Sequence, residues 1–172
     1  MKGWVALLRA VNVGGAGKLP MKALAALAGE VGFENARTYI ASGNLVFSTN
    51  RDEAAIAGSL RSALKERAGL DTDVMVRSAA QMRAIVDANP FADAPGNRVA
   101  VLFLAERASR AMVEAARGID DERLAPGTRE LFIAYGKAGM GQSKLRLPAM
   151  AHGTARNMNT VTKLAAMAEE LE

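Results

Sequence analysis

Three segments of this sequence combine glycine or asparagine with lysine or arginine just ahead of a predicted helix. They are residues 12–18 (NVGGAGK), 135–144 (YGKAGMGQSK) and 154–160 (TARNMNT). Free backbone amides at the start of a helix, next to a positive side chain, form a binding site for an anion. The first turns of these predicted helices carry lysine or arginine and no carboxylate, against the usual preference for acidic residues there. The three segments are therefore candidate anion-binding sites.

The candidate ligand-binding residues lie in or near these segments. Lysine and arginine would supply charge, asparagine and serine would supply directional hydrogen bonds, and glycine would allow close approach of the backbone. A single site requires that the fold bring the segments together. The candidates are Arg9, Asn12, Gly14, Gly15, Lys18, Ser42, Asn44, Ser143, Lys144, Arg156, Asn157, Asn159 and Lys163.

The first segment differs from an ATP-binding P-loop at both ends. Asn12 stands where that motif has glycine, and Leu19 stands where it has the serine or threonine that reaches magnesium. Pro20 also removes an amide that could face a phosphate. A flexible connection that uses glycine for left-handed turns is the alternative interpretation of this segment.

Residues for acid–base or metal chemistry are scarce. The chain has no cysteine and one histidine, His152, which excludes disulfides, thiolate catalysis and a multi-histidine metal site. Residues 131–168 hold no acidic residue, a pattern typical of a solvated basic face or of an anion-binding surface. An enzyme that acts on a phosphorylated substrate through lysine and arginine, or through His152, stays open as the alternative function. No cofactor and no metal is expected.

The first half of the chain predicts a β-α-β-β-α-β order, that of a ferredoxin-like or split βαβ unit. Pro20 suits the first position of a helix and Gly32 the position just past its end. Residues 42–44 (SGN) mark a hairpin turn. Strand-like runs and runs with helical spacing of apolar residues alternate at residues 4–10, 20–31, 37–41, 45–49, 52–68 and 72–77.

The second half repeats this order imperfectly. We therefore expect an α+β fold, with a ferredoxin-like β-α-β-β-α-β unit followed by a second, degenerate ferredoxin-like unit. Residues 89–97 (NPFADAPGN) are the candidate linker, and the expected lobes are 1–78 and 79–172, with one integrated domain as the alternative. The predicted elements are helix 81–88, strand 98–105, helix 109–117, strands 123–125 and 129–135, and helices 143–150 and 160–171.

Four stretches carry a resemblance to a known family: residues 7–15 (LLRAVNVGG), 39–47 (YIASGNLVF), 141–145 (GQSKL) and 156–164 (RNMNTVTKL). Together they resemble the motifs of the bacterial domain-of-unknown-function family 1697. The resemblance covers nearly the whole chain and implies tandem ferredoxin-like units, but it implies no particular activity.

Two positions depart from the family's pattern. Ala10 stands where the family usually has glycine, and Met158 stands where it usually has tryptophan. If that aromatic residue stacks on a ligand, this protein binds differently. If it only packs, methionine is a tolerable replacement.

A small anionic molecule is the expected partner. RNA recognition by a ferredoxin-like sheet needs exposed aromatic residues, and those of the predicted strands are expected to point inward, so nucleic acid is less favoured. Open sheet edges could pair two copies, so a monomer and a homodimer both stay open. No apolar run approaches the roughly 18–20 residues of a membrane span, and the first apolar run is too short for a signal peptide. A cytoplasmic location is expected.

Overall fold

A computed structural model describes residues 1–11 and 18–172. Contacts divide the chain into two compact units, Met1–Arg83 with Lys163–Glu172, and Ala84–Thr162. The expected lobes at 1–78 and 79–172 stay a prediction. Among the helices of the described residues, none is both long and apolar enough to cross a membrane.

The first unit has the predicted β-α-β-β-α-β order. Its strands form one antiparallel sheet in the order β2-β3-β1-β4, which makes it a ferredoxin-like unit. The elements are β1 (Lys2–Leu8), α1 (Met21–Val31), β2 (Glu34–Thr38), β3 (Asn44–Thr49), α2 (Glu53–Ala68) and β4 (Val74–Ser78), and the chain continues as α3 (Ala79–Asp87).

The core of the first unit lies on one face of this sheet. Because side chains alternate along a strand, Trp4, Ala6 and Leu8 of β1 point to the same face. They join Leu24 of α1 and Leu60 of α2 in one apolar cluster. The helical spacing that predicts α1 and α2 is therefore the spacing of residues that cover the sheet.

Single residues define the ends of α1 and α2. Pro20 has extended backbone and directly precedes α1, one position earlier than predicted. Gly32 follows α1 with φ 102, a left-handed conformation that glycine adopts without strain. Asp52 accepts a hydrogen bond from the Ala55 amide at 2.9 Å and caps α2. Among the described residues, no side chain caps α1 in this way.

The second unit repeats the sheet with shorter helices. Its strands form an antiparallel sheet in the order β6-β7-β5-β8, which confirms a second, degenerate ferredoxin-like unit. Its core gathers Leu102, Leu104, Leu131, Ile133 and Leu147. The elements are β5 (Val99–Leu104), α4 (Arg110–Glu114), β6 (Arg123–Pro126), β7 (Glu130–Ala134), α5 (Gly139–Gln142) and β8 (Gly153–Asn157), and the chain continues as α6 (Met158–Glu169).

One helix predicted for this half is wrong, and one strand was not predicted. The helix predicted at residues 143–150 is absent, because α5 ends before Ser143 and only Pro148–His152 is helical, as a 3-10 helix. The unpredicted strand is β8, which covers residues 154–157 of the third segment and pairs with β5. A Cβ at Gly153 would lie 2.5 Å from the Phe103 carbonyl oxygen, so glycine is needed where β8 starts.

Candidate functional site

The hairpin loop between β2 and β3 lies beside the end of β1, where the first predicted segment begins. The Leu8 amide donates to the Gly43 carbonyl at 2.9 Å, and the Arg9 amide donates to the Asp73 carbonyl at 3.0 Å. Gly43 has φ 81, and a Cβ there would lie 2.5 Å from a methyl carbon of Val11. Only glycine meets both conditions without strain. This end of the first unit's sheet therefore brings Arg9, which directly follows β1, near the predicted site residues Ser42 and Asn44 of the hairpin.

Asn44 is fully buried and holds the hairpin loop in place. Its Nδ2 donates to the Tyr39 carbonyl and to Ser42 Oγ, both at 2.9 Å. The Tyr39 amide donates in turn to the Asn44 carbonyl at 3.1 Å. The predicted ligand-binding pair Ser42 and Asn44 thus shapes the loop from within.

Two non-glycine residues at this edge have left-handed backbone. Ala10 has φ 54 and Ile40 has φ 50. A β-branched residue in this region is an outlier, and Ile40 is also 52% exposed, so no burial offsets the strain. Such strain clusters at functional sites. The φ of Ala10 also explains why glycine is usual at this position in the family that the chain resembles.

A polar cavity of about 470 Å³ opens beside the end of β1. Arg9 and Arg61 of α2 line it, together with Asp71, Thr72 and Asp73. Arg61 Nη2 lies 3.5 Å from Asp73 Oδ1, so these two charges are paired. Thr72 Oγ1 donates to the Arg9 carbonyl. Both backbone groups of Arg9 are therefore held by the segment that enters β4.

Of the predicted first segment, Lys18 is described, whereas Asn12, Gly14 and Gly15 lie outside the described residues. Lys18 is exposed and stands two residues before Pro20 at the start of α1. The first turn of α1 carries Lys22 and no acidic residue. The start of α1 is therefore positive and lacks a capping side chain.

The second segment faces carboxylates that the sequence gives no reason to place there. Ser143 Oγ donates to Glu122 Oε1 at 3.2 Å, and the Lys137 amide donates to Asp121 Oδ2 at 3.2 Å. Lys144 is exposed and lines a cavity of about 360 Å³ that Asp121 and Glu122 also line. Burial and the nearby Glu122 together raise the pKa of Tyr135. These surroundings suit an anion less well than the acid-free run of residues 131–168 predicts.

In the third segment, Arg156 is a buried side chain of β8. It is 8% exposed, and its Nη1 donates to Thr154 Oγ1 at 2.6 Å and to the Ala155 carbonyl at 2.9 Å. Burial lowers the pKa of Arg156 to about 10. Asn157 Oδ1 accepts a hydrogen bond from the Thr160 amide at 2.9 Å, so Asn157 caps the last helix.

The remaining residues of the third segment differ in exposure. Met158 is 6% exposed, so at this position the side chain packs inside the protein. Asn159 is exposed, and a Cβ at Gly96 would lie 2.0 Å from its Oδ1, so Asn159 packs closely on that glycine. Lys163 is exposed and groups with the first unit.

A buried arginine in β4 corresponds to Arg156. Arg77 is 2% exposed and donates to the Val76 carbonyl at 2.9 Å. It lies opposite Val5 of β1, as Arg156 lies opposite Val101 of β5. The next residue, Ser78 in one unit and Asn157 in the other, caps the helix that follows. Sequence reasoning missed Arg77, although an arginine followed by a capping residue is visible in both halves.

His152 is exposed at the end of the 3-10 helix and lines an apolar cavity with Leu104 and Met112. Among the described residues, no group of three or more histidine, aspartate or glutamate side chains could hold a metal ion. The function of His152 stays open.

Two antiparallel sheets with the same strand order define the class: a protein of two tandem ferredoxin-like units. The model of the family described as a protein of unknown function, DUF1697, matches residues 1–132, and the chain belongs to this family. A conserved bacterial protein from Streptococcus pneumoniae has a similar structure, with a TM-score of 0.79 over 97% of this chain and 98% of that chain at 23% sequence identity. At that identity the likeness shows the fold alone. No curated protein matches the chain.

Proposed function

We propose that the first unit binds a small phosphate-bearing molecule at the end of β1. The start of α1 carries this proposal, because no side chain of the described residues caps it, and its first turn holds Lys22 and no acidic residue. The start of α2 in the same unit follows the ordinary rule, with Asp52 as its cap and Glu53 in its first turn. A helix start that is left positive and uncapped attracts a phosphate group.

The cavity beside Arg9 supports the proposal. Its volume of about 470 Å³ lies within the range of about 300–1,000 Å³ that is usual for small-molecule sites. Asp71 and Asp73 also line this cavity, so a phosphate there needs both arginines. Arg9 would contribute a guanidinium group, and Arg61 would exchange its contact with Asp73 for a bidentate contact with phosphate. The strained residues Ala10 and Ile40 lie on the two segments that meet at this edge.

The predicted residues of the other two segments have different surroundings. Ser143 is bonded to Glu122, and Arg156 is buried in β8. We therefore place the ligand in the first unit and treat Lys144, Arg156 and Lys163 as a separate arm of the test.

Binding is tested by calorimetric titration of the full-length chain with AMP, ATP and inorganic phosphate. Arg9→Gln and Lys22→Gln should each weaken binding about tenfold, as loss of a charged hydrogen bond does. Arg61→Gln should also weaken binding. Arg67→Gln is its matched control, because both arginines belong to α2, are about half exposed and have one acidic partner. The control should bind like the wild type.

Four results would contradict the proposal. Wild-type affinity in Arg9→Gln and Lys22→Gln would remove the site from the first unit. A loss confined to Lys144→Ala, Arg156→Ala, Lys163→Ala would move it to the other segments. Tighter binding of an oligonucleotide than of AMP would favour nucleic acid, and turnover of a phosphate ester that is lost in His152→Ala would favour an enzyme.

A further inference from the structure

The second unit contains an apolar cavity of about 320 Å³ that the proposed phosphate site does not use. One side of it is lined by Leu104 at the end of β5, by Met112 of α4 and by Ala115, which follows α4. Pro148 and Ala149 of the 3-10 helix line the other side. The volume lies at the lower end of the range for small-molecule sites, about 300 Å³. The cavity therefore suits a small ligand with an apolar body.

Charged residues line one end of this cavity and lie near the other. Leu104 pairs with Gly153, which places Glu106 and His152 at one end. Near the other end, an isolated bridge joins Arg117, two residues after Ala115, and Arg146, two residues before Pro148. Both arginines are exposed and lie outside the lining of the cavity. The 3-10 helix Pro148–His152 runs between these ends and rises about 2 Å per residue, so Pro148 and His152 are about 8 Å apart.

The arginine bridge places two positive side chains directly opposite each other. Arg117 and Arg146 exchange both backbone hydrogen bonds, each 2.8 Å long. Opposed residues in such a pair have side chains on the same face, and like charges there are destabilising. Among the described residues neither arginine belongs to an ion pair. An anion between them would turn this repulsion into attraction.

The guanidinium group of Arg117 is already oriented. Its Nη1 donates to the Glu114 and Ala116 carbonyls at 3.1 and 2.9 Å, at the end of α4. The nitrogen atoms Nε and Nη2 are left to form the paired donors that match a carboxylate. Of the acidic residues that follow in sequence, Asp121 accepts a hydrogen bond from the Lys137 amide and Glu122 accepts one from Ser143 Oγ.

We propose that this cavity binds a small apolar carboxylic acid. Its hydrocarbon chain, about six to eight carbons long, lies between α4 and the 3-10 helix Pro148–His152. Its carboxylate is held by Arg117 and Arg146, and Glu106 at the far end repels the reverse orientation. This site is independent of the phosphate site in the first unit.

The test is an NMR titration of the isotope-labelled full-length chain with octanoate, octanol and acetate. Octanoate should bind with a dissociation constant of about 0.1–1 mM, as expected for a ligand of ten heavy atoms. Octanol and acetate should each bind about tenfold more weakly, because each lacks one half of the recognition. Arg146→Gln should weaken octanoate about tenfold and leave octanol unchanged.

Two further variants complete the experiment. Arg107→Gln is the matched control, since Arg107 is an exposed arginine next to Glu106 at the opposite end, and it should bind octanoate like the wild type. Ala111→Leu fills the cavity from an exposed position of α4 and should abolish binding without lowering the melting temperature. Equal affinity for octanoate and octanol, no binding of either, or unchanged binding in Ala111→Leu would overturn the proposal. Arg9→Gln should leave octanoate binding intact, so failure of the phosphate site is seen separately.

Discussion

Replacement of Gly3 by alanine should destabilise the first unit at the end of α6. A Cβ at position 3 would lie 2.0 Å from the Ala168 carbonyl oxygen and 2.9 Å from the carbonyl carbon. Real Cβ atoms essentially never approach another atom within 3.0 Å. The obstacle is backbone, which no rotamer change can remove, so β1 and the end of α6 must separate by about 1 Å.

The expected loss in free energy of unfolding follows from the packing that this separation disturbs. Overpacking in a core costs about 1–3 kcal/mol, and a backbone obstacle places Gly3→Ala at about 3 kcal/mol. The exposed ion pairs Arg37–Glu170 and Arg83–Glu169 hold the same helix end and add little, at most about 1 kcal/mol each. For a chain of this size, about 2–4 °C of melting temperature is lost per kcal/mol, so the expected fall is about 6–12 °C.

Thermal unfolding followed by circular dichroism measures this fall, and hydrogen exchange locates it. Amide exchange should accelerate at residues 165–169 before it does so in α2. Gly29→Ala is the matched control, because Gly29 lies inside α1 and no atom would lie within 4 Å of its Cβ. That variant should gain about 0.5–1 kcal/mol from helix propensity. An unchanged melting temperature in Gly3→Ala, or a fall in both variants, would refute the close contact with Ala168.

Three further predictions concern Ala10, Asn44 and Tyr135. Ala10→Gly should raise the free energy of unfolding by about 0.5–1 kcal/mol. The variant releases a left-handed backbone penalty of about 1–2 kcal/mol, which exceeds the cost of the added chain entropy, about 0.4–1 kcal/mol. A loss of stability in urea unfolding would contradict the backbone strain at φ 54. Asn44→Ala should lower that free energy by about 2–3 kcal/mol, because two buried hydrogen bonds are lost, and the same urea experiment would refute this by showing no change. Glu122→Gln should lower the pKa of Tyr135 only part of the way, because burial is the larger cause of its rise; ultraviolet titration of the two tyrosines, with Tyr39 as the internal reference, measures this, and an unmoved Tyr135 would contradict it. Since the folded state holds the Tyr135 proton above the ordinary pKa of 10.0, stability should fall as pH rises from about 10 through the folded-state pKa, and less steeply in Glu122→Gln.

The first unit could be predicted from the sequence because local signals and tertiary structure agree there. Helical spacing in α1 and α2 coincides with the face that covers the sheet, and Gly32 is left-handed where a helix must end. In the second unit these signals separate. Strand β8 holds glycine, threonine and alanine, and its place is set by pairing with β5 rather than by its own propensity. The helix expected at residues 143–150 is absent because Ser143 and Leu147 have extended backbone and Pro148 begins a 3-10 helix, and the residue before a proline disfavours the helical region.

The candidate site could be predicted only in part, because charge patterns along a chain do not show what faces them. The acid-free run predicts an anion pocket around Ser143, yet the partner of that side chain is Glu122, which is 21 residues earlier. Arg156 was chosen for its charge, whereas its surroundings in β8 bury it. Arg9 and Asn44 meet at one sheet edge because of the pairing of β1 with β3, which hydropathy alone does not specify.

The unequal crossover segments of the two units have a consequence for how such a protein diverges. In the first unit the link between β3 and β4 is the sixteen-residue helix α2, whereas the link between β7 and β8 holds only the four-residue α5 and a 3-10 helix. Two copies of one topology are what duplication of an ancestral segment produces. Shortening of a helix in one copy would uncover apolar surface that the longer helix covers in the other, and the apolar cavity beside α4 adjoins the shortened link at Pro148 and Ala149. Divergence by shortening of a helix can therefore create an apolar pocket in one copy that the other copy does not need.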